Sequence, residues 1–103
     1  MKNNTETKKN ILTNQVEYED KINSKIYYES DAYKMILFAM KKDQTLKPHS
    51  APMDTPLLML EGEATINIDK NTYVINEGES IILPKNIDHA VSPISDIKFV
   101  LIK

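Results

Sequence analysis

The sequence predicts an all-β domain, closed as a sandwich, jelly roll or barrel. Three observations lead there. Apolar residues alternate or run in short blocks and seldom recur at helical spacing. Turn-forming residues interrupt the chain every several positions. The chain has only two glycines, and both sit in the same local sequence, Glu61-Gly62-Glu63 and Glu77-Gly78-Glu79. Glycine tolerates positive φ, so the pair reads as two tight corners of one barrel.

Lys25-Ile26-Tyr27-Tyr28-Glu29 is rich in strand formers. Over residues 33–42, Met35, Leu37 and Ala39 share one face, and Ile36, Phe38 and Met40 share the other. Both faces are apolar, as in a strand buried on both sides. Asp43-Gln44 reads as a turn. Residues 46–52 cannot form a regular central strand, because Pro48 and Pro52 each remove a ladder donor. With Pro56 they predict a stiff, irregular edge that leads into a buried strand at residues 57–60.

From Ala64 the alternation is clean. Ala64, Ile66 and Ile68 face the core, while Thr65, Asn67 and Asp69 face water. Asp69-Lys70-Asn71 reads as a hairpin loop, and Tyr73-Val74-Ile75 returns. Residues 80–83, closed by Pro84, then 87–91 and 97–102, supply the last strands. Residues 10–21 read either as a short helix or as an extra edge strand pairing with a partner chain. Residues 1–20 are therefore assigned to a flexible N-terminal tail or edge segment, and 21–103 to the barrel.

Composition narrows the functional classes. The chain has 103 residues, 41% hydrophobic and 27% charged, enough for one domain with a small core. Its formal net charge is −2, with Lys spread along the chain, so the basic patch of a nucleic-acid or membrane-surface binder is missing. The absence of cysteine removes disulfides, thiol catalysis and Cys-type zinc sites. No apolar run is long enough for a transmembrane helix, and the polar stretch 2–10 lacks the apolar core of a signal peptide. A cytoplasmic protein is the expectation. Both glycines are isolated, so no phosphate-cradling loop is present. Neither histidine belongs to a nucleophile-elbow triad.

Residues 78–89 hold Gly78, then Pro84 after five residues, then a turn and His89. This resembles the second sequence motif of the cupin family, with Asn86 where many members carry a further glycine. Asn also adopts the left-handed conformation. The stretch from His49 to Gly62 resembles the first motif, which runs His, one residue, His, Glu and later Gly. His49 and Gly62 match. Ala51 stands at the second histidine position and Thr55 at the glutamate position. The resemblance covers about residues 33–103. It is nearest to small single-domain cupins with a His-Ser/Thr-Ala-Pro stretch.

The resemblance implies a cupin-type double-stranded β-helix with its site around His49 and His89. It also implies that two of the usual four metal ligands are replaced. His49 and His89 remain as a partial metal site, suited at most to a weakly held divalent transition metal. The expected pocket is lined by His49, His89, Thr55, Met35, Leu37 and Met59, and Gly62, Gly78 and Pro84 serve as structural turns. Met40 and the tyrosines read as ordinary core and strand residues.

The first functional expectation is binding of a small molecule of unknown identity. A metal-dependent oxygenase or isomerase and a dimeric structural or regulatory module are the alternatives. The fold resemblance and small size also imply a homodimer.

Overall fold

The computed structural model describes residues 7–103. The first six residues of the expected tail lie outside the described residues. One 3-10 turn, Leu12–Asn14, precedes nine strands. These are β1 (Asn23–Glu29), β2 (Lys34–Met40), β3 (Leu46–His49), β4 (Thr55–Glu61), β5 (Ala64–Ile68), β6 (Asn71–Ile75), β7 (Ser80–Leu83), β8 (His89–Pro93) and β9 (Ile97–Ile102). They form two antiparallel sheets facing each other. One runs β1-β2-β9-β4-β7 and the other β3-β8-β5-β6. Among the described residues, no helix is long and apolar enough to cross a membrane.

The inner faces meet in a core that includes Met40, Leu57, Met59, Ile66, Leu83, Val91 and Phe99. Phe38 and Phe99 stack across β2 and β9, with ring centroids 5.0 Å apart. Alternation in β5 reads through directly: Ala64, Ile66 and Ile68 are buried and Asn67 is exposed. The prolines of residues 46–52 have the expected effect. β3 is a sheet edge whose register slips between Leu46 and His49.

Strand β2 is apolar on both faces because each face has a cover. Ile36, Phe38 and Met40 turn inward. Met35, Leu37 and Ala39 turn outward, where Val16, Val100, Leu12, Leu58 and Leu60 join them in a second cluster. The N-terminal segment supplies this cover. It holds one 3-10 turn and no strand, and it crosses the outer face of the five-stranded sheet as a strap. Val16 is 2% exposed there. Full burial of such a side chain contributes roughly 1.5–3 kcal/mol.

Polar bonds hold the strap along its length. The Tyr18 hydroxyl donates to Glu61 Oε2 at 2.5 Å, and Lys98 Nζ donates to the Thr13 carbonyl at 2.6 Å. The same ammonium lies 4.8 Å from the centroid of the Tyr18 ring. Asn23 and Gln44 donate to the carbonyls of Glu17 and Glu19. Burial, then the hydrogen bond to Glu61, push the Tyr18 phenol well above its ordinary pKa, so it stays protonated.

The two glycine corners serve different ends. Both have positive φ, +81° at Gly62 and +84° at Gly78. A Cβ on Gly62 would meet the Asp96 carbonyl oxygen at 2.1 Å, whereas a Cβ on Gly78 would meet nothing within 4 Å. Gly62 is therefore required by packing as well as by φ, and Gly78 by φ alone. Asn86 adopts φ +62° after Pro84, and its N–H donates to the Ala51 carbonyl at 2.7 Å. That bond ties the loop before His89 to the loop after His49.

Candidate functional site at the mouth of the barrel

His49 and His89 are direct cross-strand partners on β3 and β8. His89 also pairs with Ile68 of β5, which places both imidazoles on the inward side of the four-stranded sheet. Their ring centroids are 4.5 Å apart, with planes inclined at 67°. His89 is 4% exposed and His49 is exposed.

Each ring is oriented by the same local bond. His49 Nδ1 lies 3.0 Å from the Lys47 carbonyl, and His89 Nδ1 lies 3.3 Å from the Ile87 carbonyl. A carbonyl only accepts, so each Nδ1 carries the hydrogen and donates it. A neutral ring then presents Nε2 as a lone pair. Among the described residues, Nε2 of neither ring has a protein hydrogen-bond partner. No buried side-chain N or O among them lacks a partner, so His89 Nε2 must reach solvent at the mouth.

The His89 pKa is held below its ordinary value of 6.5. Burial is the largest cause, and the neighbouring His49 is the next. The Ile87 carbonyl and Asp88 oppose the shift, while Lys103 adds to it.

Of the expected lining, Thr55 and Met59 face the barrel interior. Thr55 and Met59 lie on β4 at 2% and 1% exposure, and Met59 is part of the inter-sheet core. The Thr55 hydroxyl donates to the Met53 carbonyl at 3.3 Å. Met35 and Leu37 do not join the histidines. They occupy the outward face of β2 and pack into the cluster beneath the strap. Period-two alternation separates the two faces of this strand, but it does not say which one is the barrel interior.

Two clefts lie beside the strands and loops that carry the histidines, and His49 lines neither. One of about 350 Å³ is polar and includes His89, Asp69, Asp88, Asn67 and Thr72 in its lining. The other, of about 430 Å³, lies between the β1–β2 turn, the loop after His49 and Lys103. Tyr33, Met53, Pro52 and Ala51 give it apolar walls, and Lys34 adds a cation. The sequence reading missed Lys34 and Lys103 as site residues. Their signal was available, because each lies on the inward parity of its strand, two residues beyond an inward apolar residue (Ile36 and Leu101).

A mononuclear metal of the kind the family often holds does not fit these residues. Among the described residues, no group of three or more His, Cys, Asp or Glu side chains could hold a metal ion. Ala51 offers no side-chain donor. Asp54, next to the Thr55 position, accepts the Lys85 N–H at 2.9 Å and so braces the loop before His89. Two imidazoles remain as the donor set.

Residues 36–102 match the family described as the cupin domain. Among solved structures, a conserved protein of unknown function from Streptococcus pyogenes is 32% identical, with a TM-score of 0.85. The match covers 97% of this chain and 90% of that one. A cupin 2 conserved barrel domain protein from Leptotrichia buccalis is 35% identical at a TM-score of 0.81. There the match covers 87% of this chain but 44% of the other, so this chain corresponds to less than half of that protein. A Thermus thermophilus protein, 19% identical at a TM-score of 0.84 over 93% of this chain and 95% of that one, shares the fold. No curated protein matches the sequence. With the family match spanning most of the barrel and a full-length relative in the same fold, the chain belongs to the cupin family.

Proposed function

We propose that this cupin binds a small molecule at the mouth of its barrel, with His49 and His89 acting as neutral hydrogen-bond acceptors in a degenerate metal site. The geometry of the pair supports this reading. Both Nδ1 atoms are committed to backbone carbonyls, which leaves two Nε2 lone pairs at one opening. Fixed acceptors at an opening suit a ligand that carries hydrogen-bond donors.

One observation favours a second reading, a metal-dependent oxygenase or isomerase. Donation of Nδ1–H to a backbone carbonyl is also how metal-binding imidazoles are oriented. A single pair of experiments separates the two. Elemental analysis of protein expressed in metal-supplemented medium is expected to find far less than one transition metal per chain. A thermal-shift screen of small polar compounds is expected to give hits that a His49→Gln/His89→Gln variant loses. Near-stoichiometric metal that disappears in that variant would establish the enzyme reading instead.

A further inference from the structure

We infer that the mouth takes singly charged organic anions, a carboxylate held by Lys34 and Lys103 with an apolar body resting on Tyr33 and Met53. This rests on the small-molecule reading above and specifies its ligand class. Lys34 and Lys103 exchange backbone hydrogen bonds, Lys34 N–H to the Lys103 main-chain oxygen at 2.5 Å and Lys103 N–H to the Lys34 carbonyl at 2.9 Å. They are therefore a direct cross-strand pair, and both line the larger cleft. Like charges placed directly opposite across a ladder repel each other. A carboxylate between the two ammonium groups would remove that repulsion.

Compensation from neighbouring side chains is weak. Glu29 approaches Lys34 Nζ only to 3.9 Å, with both side chains about half exposed. Pairs of that kind contribute little. Among the described residues Lys103 has no ion pair. Asp31 shares the cleft and its carboxylate opposes a second negative charge, so the site suits a monocarboxylate better than a dianion such as phosphate.

The apolar part of the ligand has a prepared surface. Tyr33 is 43% and Met53 is 41% exposed. Tyr28 backs Tyr33, with ring centroids 5.8 Å apart at 45°. Pro52 and Ala51 continue the wall toward His49. A cleft of about 430 Å³ accommodates a ligand of modest size.

The test titrates 4-phenylbutyrate, 4-phenylbutan-1-ol and inorganic phosphate into the whole chain, following the Met53 methyl and the histidine ring signals by NMR. The carboxylate is expected to bind at least tenfold more tightly than the alcohol. A Lys34→Gln/Lys103→Gln variant, shown to be folded by its amide spectrum, should lose that advantage and keep its affinity for the alcohol. Equal affinity for carboxylate and alcohol would overturn the anion assignment, while histidine shifts from both would leave the small-molecule reading standing. Phosphate binding as tightly as phenylbutyrate would overturn the monocarboxylate class. No saturable shift with any probe would overturn the inference, and the thermal-shift screen then decides the parent reading separately.

Discussion

The strap and the mouth each set polar side chains against apolar ones, with opposite outcomes. Under the strap polar side chains meet partners. Tyr18 donates to Glu61, Lys98 donates to Thr13, and Val16 fills the gap over Leu37, Ala39 and Val100. At the mouth two imidazoles sit 4.5 Å apart without bonding each other, and two lysines face each other across a ladder. A closed polar cluster stabilises the fold. An open one of like character adds little stability and leaves groups available to a ligand. Substitutions in the two regions should therefore differ in both size and sign.

The largest effect is expected from Val16→Asp. It places a carboxylate without a partner at a position 2% exposed. Breaking the strap's apolar contact in this way should cost about 3 kcal/mol, limited by the docking free energy of the strap itself. Urea denaturation gives the loss directly. Amide exchange should show faster opening of the strap while β5 and β8 keep their protection. A loss below 1 kcal/mol would mean that the strap contributes little, and the contrast with the mouth would collapse.

A smaller loss is expected from Tyr18→Phe. The ring stays, and with it the contact to Lys98, but the hydroxyl that donates to Glu61 is removed. A hydrogen bond to a charged acceptor contributes about 1.5–3 kcal/mol. Glu61 can recover water at this partly buried site, so the lower end applies. The same variant should abolish an alkaline effect. With its pKa raised on folding, Tyr18 stabilises the native state below the ordinary phenol value of 10.0. That contribution fades as pH rises from 10.0 toward the folded value, because the unfolded phenol ionises first. A Tyr18→Phe protein whose alkaline denaturation matches the parent would show that the phenol is not held as the geometry implies.

The same contrast explains what could be read from the sequence. Strand positions, the inward set Ala64, Ile66 and Ile68, the proline-broken edge and the glycine corners all follow from local rules of alternation and φ. The histidine pair was found by motif spacing, which reflects how the two motif loops lie on adjacent strands. What could not be read depends on long-range contact. Residues 10–20 have no strong period of their own, and Val16 is buried only because β2 and β9 present an apolar outer face. Met35 and Leu37 were assigned to the pocket for the converse reason, since a doubly apolar strand does not reveal which side is roofed by a strap. Gly62 and Gly78 share a tripeptide, and only the fold reveals that one is packed against Asp96 and the other faces open space.

The smallest effect, and the sharpest test of the mouth, lies in the titration of His89. Its folded pKa is below 6.5, so as pH falls below 6.5 the unfolded state takes up the proton first. Stability is thus full above 6.5 and declines as pH drops through the folded value. His49 outranks Lys103 among the charges that depress it. His49→Gln should therefore raise the His89 pKa more than Lys103→Gln does, and burial should keep it below 6.5 in both. At pH 8 neither variant should change stability by more than about 0.5 kcal/mol, since neither removes a bond that holds the fold. At pH 5 the His49→Gln protein should be the more stable relative to its parent. Histidine side-chain NMR and denaturation at the two pH values give both quantities. If both variants leave the His89 titration where it was, burial alone sets it and the neighbouring groups do not act on it. If His49→Gln instead costs several kcal/mol at pH 8, the histidine pair is as structural as the strap.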